Sequence, residues 1–230
     1  MGEGPAGGFR GKFPGPRLKT EIIRKAIHLL IVPVLPLAAW SRTAALGLLL
    51  AGLGLYLLSE GLRMRGRDLP LIAFLTRLAS RPRDGDRLIL GPVTWLAGAF
   101  LTLLVFPPRP AGVGILALAL GDGLASVAGT FFLSLRYRDP FSPPGKSAGG
   151  RLLRALTSNL GFLGEKTTGG SLACFMAVWA GALGLGWPLG VALWLALITT
   201  VLEALPLKDM DNVLVPVGSA LGAWGFLILG

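Results

Sequence analysis

One cysteine and one histidine occur in 230 residues, and only 15% of the chain is charged. The lone Cys174 excludes an internal disulfide framework. With His28 as the sole imidazole there are also too few soft ligands for a zinc or iron–sulfur site. Any metal must therefore be held by carboxylates. The shortage of charge excludes a water-soluble enzyme: 53% of the residues are hydrophobic and the mean hydropathy is +0.67, where about 45–50% apolar is ordinary for a soluble domain. No internal repeat of fixed period is evident, which removes the clearest sequence sign of an inverted-repeat transporter.

What the chain does have is long apolar runs, at 26–40, 43–60, 88–106, 111–133, 171–186, 188–206 and 213–229. Each is near the ~20 residues a helix needs to cross about 30 Å of hydrocarbon. The expected fold is all-α: a polytopic membrane helix bundle of seven spans. Residues 1–19, rich in glycine, proline and basic side chains, read as a flexible basic arm, and 20–230 as a single integral membrane catalytic domain. Pro33 and Pro36 interrupt the first run, and such breaks are tolerated where neighbouring helices or a polar cavity satisfy the freed backbone groups.

The net charge of +10 is distributed unevenly. Twenty of the 22 lysines and arginines fall in the N-terminal arm, the loops 61–87 and 134–170, and Lys208, all on one side of the seven spans; only Arg42 and Arg109 fall on the other. The positive-inside rule then places the N terminus and both long loops in the cytoplasm and the C terminus outside, and it accounts for the charge without nucleic acid as a partner. Within the first loop, Leu69–Leu78 reads either as an amphipathic helix at the headgroups or as a buried apolar stretch of that loop.

Ionisable groups at or inside spans are expensive and ask for a reason. Arg24, Lys25 and His28 stand where the first span begins, with Arg24 and His28 on one face and Lys25 beside them; together they could hold a phosphate, or the two cations could be snorkelling anchors. Glu60 closes the second span beside Arg63, a spacing that also suits a simple surface ion pair. Asp122 lies inside the fourth run, between Gly121 and Gly123, with Ser126 and Gly129 near its face. The glycines permit close approach, and the acid offers hard oxygens for Mg²⁺. Lys146 follows Gly145 but lacks the earlier glycine of a nucleotide-binding P-loop, since position 140 is proline. Lys166, Thr167, Gly170 and Ser171 lead into the fifth span, where free amides at a helix start can bind an anion or be capped by a hydroxyl. Glu203, Asp209, Asp211 and Asn212 crowd the turn before the last span, and acids that close need a cation or a basic partner.

The order of these segments, RKAIH at 24–28, LSEGLR at 58–63, GP at 91–92, GDGLASVAG at 121–129, KTTGGS at 166–171 and VLEALPLKDMDN at 201–212, resembles the CTP-dependent polyprenol kinase family. That family includes phytol kinase, dolichol kinase and the yeast-type diacylglycerol kinase. The resemblance implies an integral membrane enzyme that moves the γ-phosphate of CTP to a lipid hydroxyl with Mg²⁺, meeting nucleotide from the cytosol and a lipid alcohol from the bilayer. The chain departs from the family at Gly169, where a glutamate is usual.

Carried onto this chain, the expectation gives Mg²⁺ to Asp122 and Asp211, with Glu60 as a further ligand. It gives the nucleotide to Arg24, Lys25, Ser126, Gly129, Lys146, Lys166, Thr167, Gly170, Ser171 and Asn212, and activation of the alcohol to Glu203 or His28. A short isoprenoid alcohol such as phytol or geranylgeraniol is the first expectation for the acceptor, with dolichol, undecaprenol or diacylglycerol as alternatives. A phosphatidate cytidylyltransferase and a non-enzymatic transporter stay open as other classes. The expected location is a bacterial or archaeal cytoplasmic membrane.

Overall fold

A computed structural model describes residues 15–67, 69–70, 88–138, 152, 155–158, 166–206 and 210–229. The described chain is helical: α1 (Gly15–Leu29), α2 (Val34–Trp40), α3 (Arg42–Arg63), α4 (Leu90–Val105), α5 (Pro108–Leu116), α6 (Asp122–Arg138), α7 (Thr168–Gly184), α8 (Leu189–Ala204) and α9 (Asp211–Leu229). Every expected apolar run is helical. Four segments are long and apolar enough to cross a membrane, Ile22–Trp40, Arg42–Arg63, Pro108–Leu133 and Asp211–Leu229; α4, α7 and α8 are apolar but have only 16, 17 and 16 residues. At 1.5 Å per residue such helices are about 24–26 Å long, shorter than the roughly 30 Å hydrocarbon layer. Most of Leu69–Leu78 lies outside the described residues.

One expectation changes in the structure. Residues 15–19, read as part of a flexible arm, already belong to α1. At Asp122 the helix continues: α5 runs into α6 through one π turn, Ala117–Gly121, and Asp122 donates its N–H to the carbonyl of Ala117. A π turn widens a helix by one residue and re-aims the side chains that follow, and such turns recur at functional sites. The break at Pro33 is as expected, with a turn over Leu30–Pro33 between α1 and α2.

The α5–α6 rod is the centre of the bundle. Two-thirds of its span is buried, against a third or less for the other three long segments, and Val113, Ile115, Ala117 and Leu118 are wholly enclosed. It packs on α9, α7 and α1, while α8 joins α7 and α9, and α3 joins α4. Small residues let the helices touch backbone to backbone: a Cβ added at Gly98 of α4 would collide with the Asn212 carbonyl of α9. Thr199 of α8 and Ser219 of α9 share a fully buried hydrogen bond at 2.8 Å. Such an interhelical bond stabilises a membrane bundle by about 0.6–2 kcal/mol.

Candidate functional site

In α8 and α9 the buried stripe follows the 3.6-residue period and reaches a polar residue at one end of the bundle. In α8 it is Ala192, Leu195, Ala196, Thr199 and then Glu203. In α9 it starts with Asn212 and continues through Val215, Pro216 and Ser219. The apolar part of each stripe drives packing, so the polar terminus is carried into the same protected place.

Two lysine–carboxylate pairs form there. Lys25 of α1 donates to Oδ2 of Asp122, with both side chains under a tenth exposed. His28 Nδ1 lies 3.3 Å from the same oxygen, off the line of a hydrogen bond, and its ring rests at 5.6 Å between centroids from Trp95 of α4. Lys25 and His28 therefore share the inward face of α1. Arg24, expected on that face, is half-buried, and its charge reaches His28. In the second pair Lys166, just before α7, donates to Oε1 of Glu203. Burial is the largest influence on the Lys166 ammonium and works against its charge, but Glu203, by charge and hydrogen bond, outweighs it with help from Asp122 and Asp211. The ammonium is held above the ordinary lysine range. Asp211 in turn lies within the field of Asp122, Lys166 and Lys25. Three acids and two lysines thus act on one another at this end of the bundle. Removing one partner of such a pair leaves an uncompensated charge, at a cost of about 3–5 kcal/mol.

The start of α7 is built as a cap. Thr167 is the N-cap, and its hydroxyl accepts the Gly170 N–H at 3.2 Å. Gly129 and Gly170 bring α6 and α7 together: a Cβ on Gly129 would meet the Thr167 hydroxyl at 2.7 Å, and one on Gly170 the Ala125 carbonyl at 2.7 Å. Ser126 is half-buried on the same helix. Ser171 Oγ is buried and has no hydrogen-bond partner among the described residues. Position 169, where the family resemblance leads one to expect glutamate, is filled from outside: a Cβ there would lie 2.7 Å from the Phe132 ring and 2.9 Å from the Leu156 carbonyl. A glutamate could not fit without moving both.

Glu60 does not join this cluster. Its carboxylate takes both Nε and Nη2 of Arg63, at 2.9 and 2.7 Å, and the N–H of Ile89 at 3.2 Å. Tyr56 donates to the Ile89 carbonyl at 2.8 Å. These contacts pin the entry of α4 to the end of α3, which is why a motif acid at a span end is spent on structure. Asn212 performs a similar task on the other side of α4, donating to the Gly91 carbonyl at 3.3 Å and to Thr94 Oγ1 at 3.1 Å, while its own N–H bonds Asp211 Oδ1 at 2.9 Å. Lys146 lies outside the described residues, as do Lys208 and Asp209. Trp95 and Thr94 were missed from sequence. Their partners His28 and Asn212 are far along the chain, and only the GP segment before them marks the place.

Among the described residues no group of three His, Cys, Asp or Glu could hold a metal by itself. An open apolar trough of about 510 Å³ between α6 and α7 is walled by Leu124, Val127, Phe131 and Met176. On α6 those positions lie opposite the Asp122–Gly129 face, so the trough is a lipid-facing surface separate from the charged cluster.

No family model matches the chain, and no solved structure matches it. Among curated proteins it is similar to "Probable phytol kinase, chloroplastic" from Triticum aestivum, 31% identical over 190 residues. The match covers 80% of this chain and 54% of that protein, so the chain spans about half the length of the curated relative. The chloroplastic relative gives no support to a bacterial or archaeal membrane in particular. The chain is a membrane-type helical homologue of a protein named as a phytol kinase, in agreement with the polyprenol kinase resemblance of its motifs.

Proposed function

We propose that the protein is a membrane lipid-alcohol kinase that transfers the γ-phosphate of CTP to the hydroxyl of an isoprenoid alcohol of the phytol or geranylgeraniol kind. The observation that carries the reading is the convergence of Lys25–Asp122, Lys166–Glu203 and Asp211 at one end of an apolar bundle. Phosphoryl transfer demands little covalent chemistry from a protein; it needs positioning, cations on the phosphates and an acceptor for the alcohol proton. Asp122 and Asp211 would hold Mg²⁺, which neutralises charge on the transferring phosphate. Lys166, with its side chain 30% exposed, faces the aqueous edge where nucleotide arrives. Lys25, held on Asp122, adds a second cation inside. Choice of CTP rests on the family resemblance, and choice of alcohol on the curated relative's name. The membrane face bearing the basic loops is the face that meets the nucleotide pool.

The test is purified protein in lipid with Mg²⁺ and γ-³²P-labelled CTP or ATP, offered phytol, geranylgeraniol, undecaprenol and diacylglycerol. The expected result is label in phytol or geranylgeraniol from CTP. Unlabelled lipid together with pyrophosphate release from CTP and phosphatidate would replace the kinase with a cytidylyltransferase.

A further inference from the structure

The Glu203 carboxylate is used unevenly. Oε1 accepts Lys166, while Oε2 is buried with no hydrogen-bond partner among the described residues, on a side chain only 3% exposed. A carboxylate oxygen enclosed in a helix bundle ordinarily has a donor, because a buried acceptor left unpaired costs about 1–3 kcal/mol or more when charged. Around it stand Lys166, which reaches water, and Cys174 of α7, which lies within the carboxylate's field. Ser171 is one turn before Cys174 on the same buried stripe, and its hydroxyl is likewise unpaired. The unpaired Oε2 thus belongs to a pair whose cation reaches water.

The other base considered from sequence is differently placed. His28 Nδ1 stands 3.3 Å from Asp122 Oδ2 without a hydrogen bond among the described residues, and its ring is covered by Trp95 and lies in the fields of Lys25 and Arg24. A proton arriving on it would add a third cation to that corner.

We infer that Glu203 is the catalytic base of the lipid-alcohol kinase reaction, receiving the acceptor hydroxyl's proton on Oε2, with Lys166 as its coupled partner. This rests on the kinase reading above. In the step, the acceptor O–H bond breaks and its proton passes to Oε2. The alcohol oxygen bonds to the γ-phosphorus of the nucleoside triphosphate, and the bond from that phosphorus to the β,γ-bridging oxygen breaks, its electron pair leaving on the nucleoside diphosphate. Protonation of Glu203 ends its neutralisation of Lys166. The full ammonium charge then acts on the phosphate oxygens as they need it, so removal of the proton and stabilisation of the transition state are coupled in one pair.

Glu203→Gln and Glu203→Asp are to be measured beside wild type in lipid with CTP, Mg²⁺ and the alcohol that wild type labels. Binding of the non-transferable β,γ-methylene analogue of CTP is measured separately. Expected for Glu203→Gln is a kcat lower by about 10²–10⁴-fold, with analogue affinity and the KM for CTP within a few-fold of wild type. Glu203→Asp, which keeps the proton acceptor one methylene shorter, recovers at least a tenth of wild-type kcat. Glu203→Gln with wild-type kcat overturns the inference while leaving the kinase reading intact. So does Glu203→Gln that loses analogue binding in proportion to activity, or Glu203→Asp as inactive as Glu203→Gln. A wild-type protein that labels no alcohol overturns the kinase reading and this inference with it.

Discussion

The two ends of the bundle solve the same problem, exposed helix termini, in opposite ways. At the end of Arg42 and Arg109 the cations are spent on backbone. Arg42 donates to the carbonyls of Leu103 and Leu104 at 2.8 Å each, closing the last turn of α4, and Arg109 donates to the Gly186 carbonyl and lies over the Trp187 ring at 4.7 Å. These are the two basic residues that depart from the charge bias, and each has a local structural partner. At the other end the cations Lys25 and Lys166 point at carboxylates, Asp211 lies in the field of Asp122, and Lys166 feels Glu203, Asp122 and Asp211 together. Backbone carbonyls satisfy an arginine permanently. A lysine on a carboxylate can exchange its partner for phosphate, which is what a site needs and a cap does not.

The largest effect that would sharpen this contrast is expected at Asp122. Asp122→Asn keeps size but removes the charge Mg²⁺ needs, so Mg²⁺-dependent labelling of lipid alcohol should fall at least 10²–10³-fold. It also leaves Lys25 without a counter-charge. The double variant Lys25→Met with Asp122→Asn should regain thermal stability but not activity, because a buried pair replaced whole costs far less than one broken by half. Asp122→Asn with near-normal turnover would remove the site from this end of the bundle.

Next comes Lys166→Ala, which should raise the KM for CTP by roughly 10- to 100-fold, the loss of a charged hydrogen bond worth about 1.5–3 kcal/mol. The sign of its pH behaviour is set by the raised ammonium. Stability from the Lys166–Glu203 pair is complete below the ordinary lysine value and is lost only as pH rises through the higher folded value, so thermal stability should carry no Lys166 contribution to its slope near neutrality. A slope there that vanishes in Lys166→Ala would contradict the pairing.

Glu60→Gln should lower stability by about 1–3 kcal/mol through the weakened Arg63 and Ile89 contacts. Because Glu60 is structural, the Mg²⁺ concentration giving half-maximal activity should not change, and a shift in it would return Glu60 to the metal. The smallest effect belongs to the opposite end. Arg42→Ala should cost about 1–2 kcal/mol in a denaturation midpoint, with unchanged activity per folded molecule; loss of turnover would show that the two ends are not separable.

Much of this was legible in the residues because hydrophobic period and charge bias are local properties. All seven apolar runs are helices, and the motif acids Asp122, Glu203 and Asp211 do gather with Lys25 and Lys166. The family glycines were legible as residues but not as roles: Gly129 and Gly170 hold α6 to α7, and Thr167 caps its own helix. Glu60 misled because a conspicuous acid at a span end has the same sequence signature whether it meets a metal or an arginine one turn away.

Sequence by itself determined a helical membrane protein and which faces carry its apolar stripes, since these follow from hydropathy and 3.6-residue spacing alone. Tertiary structure decided the depth and company of Asp122. It stands in the middle of an apolar run, yet α6 meets the first turns of α7 through Ala125–Gly170 and Gly129–Thr167, and α1 delivers Lys25 to the same level. Depth is a relation between helices of different length and offset, and no single run contains it.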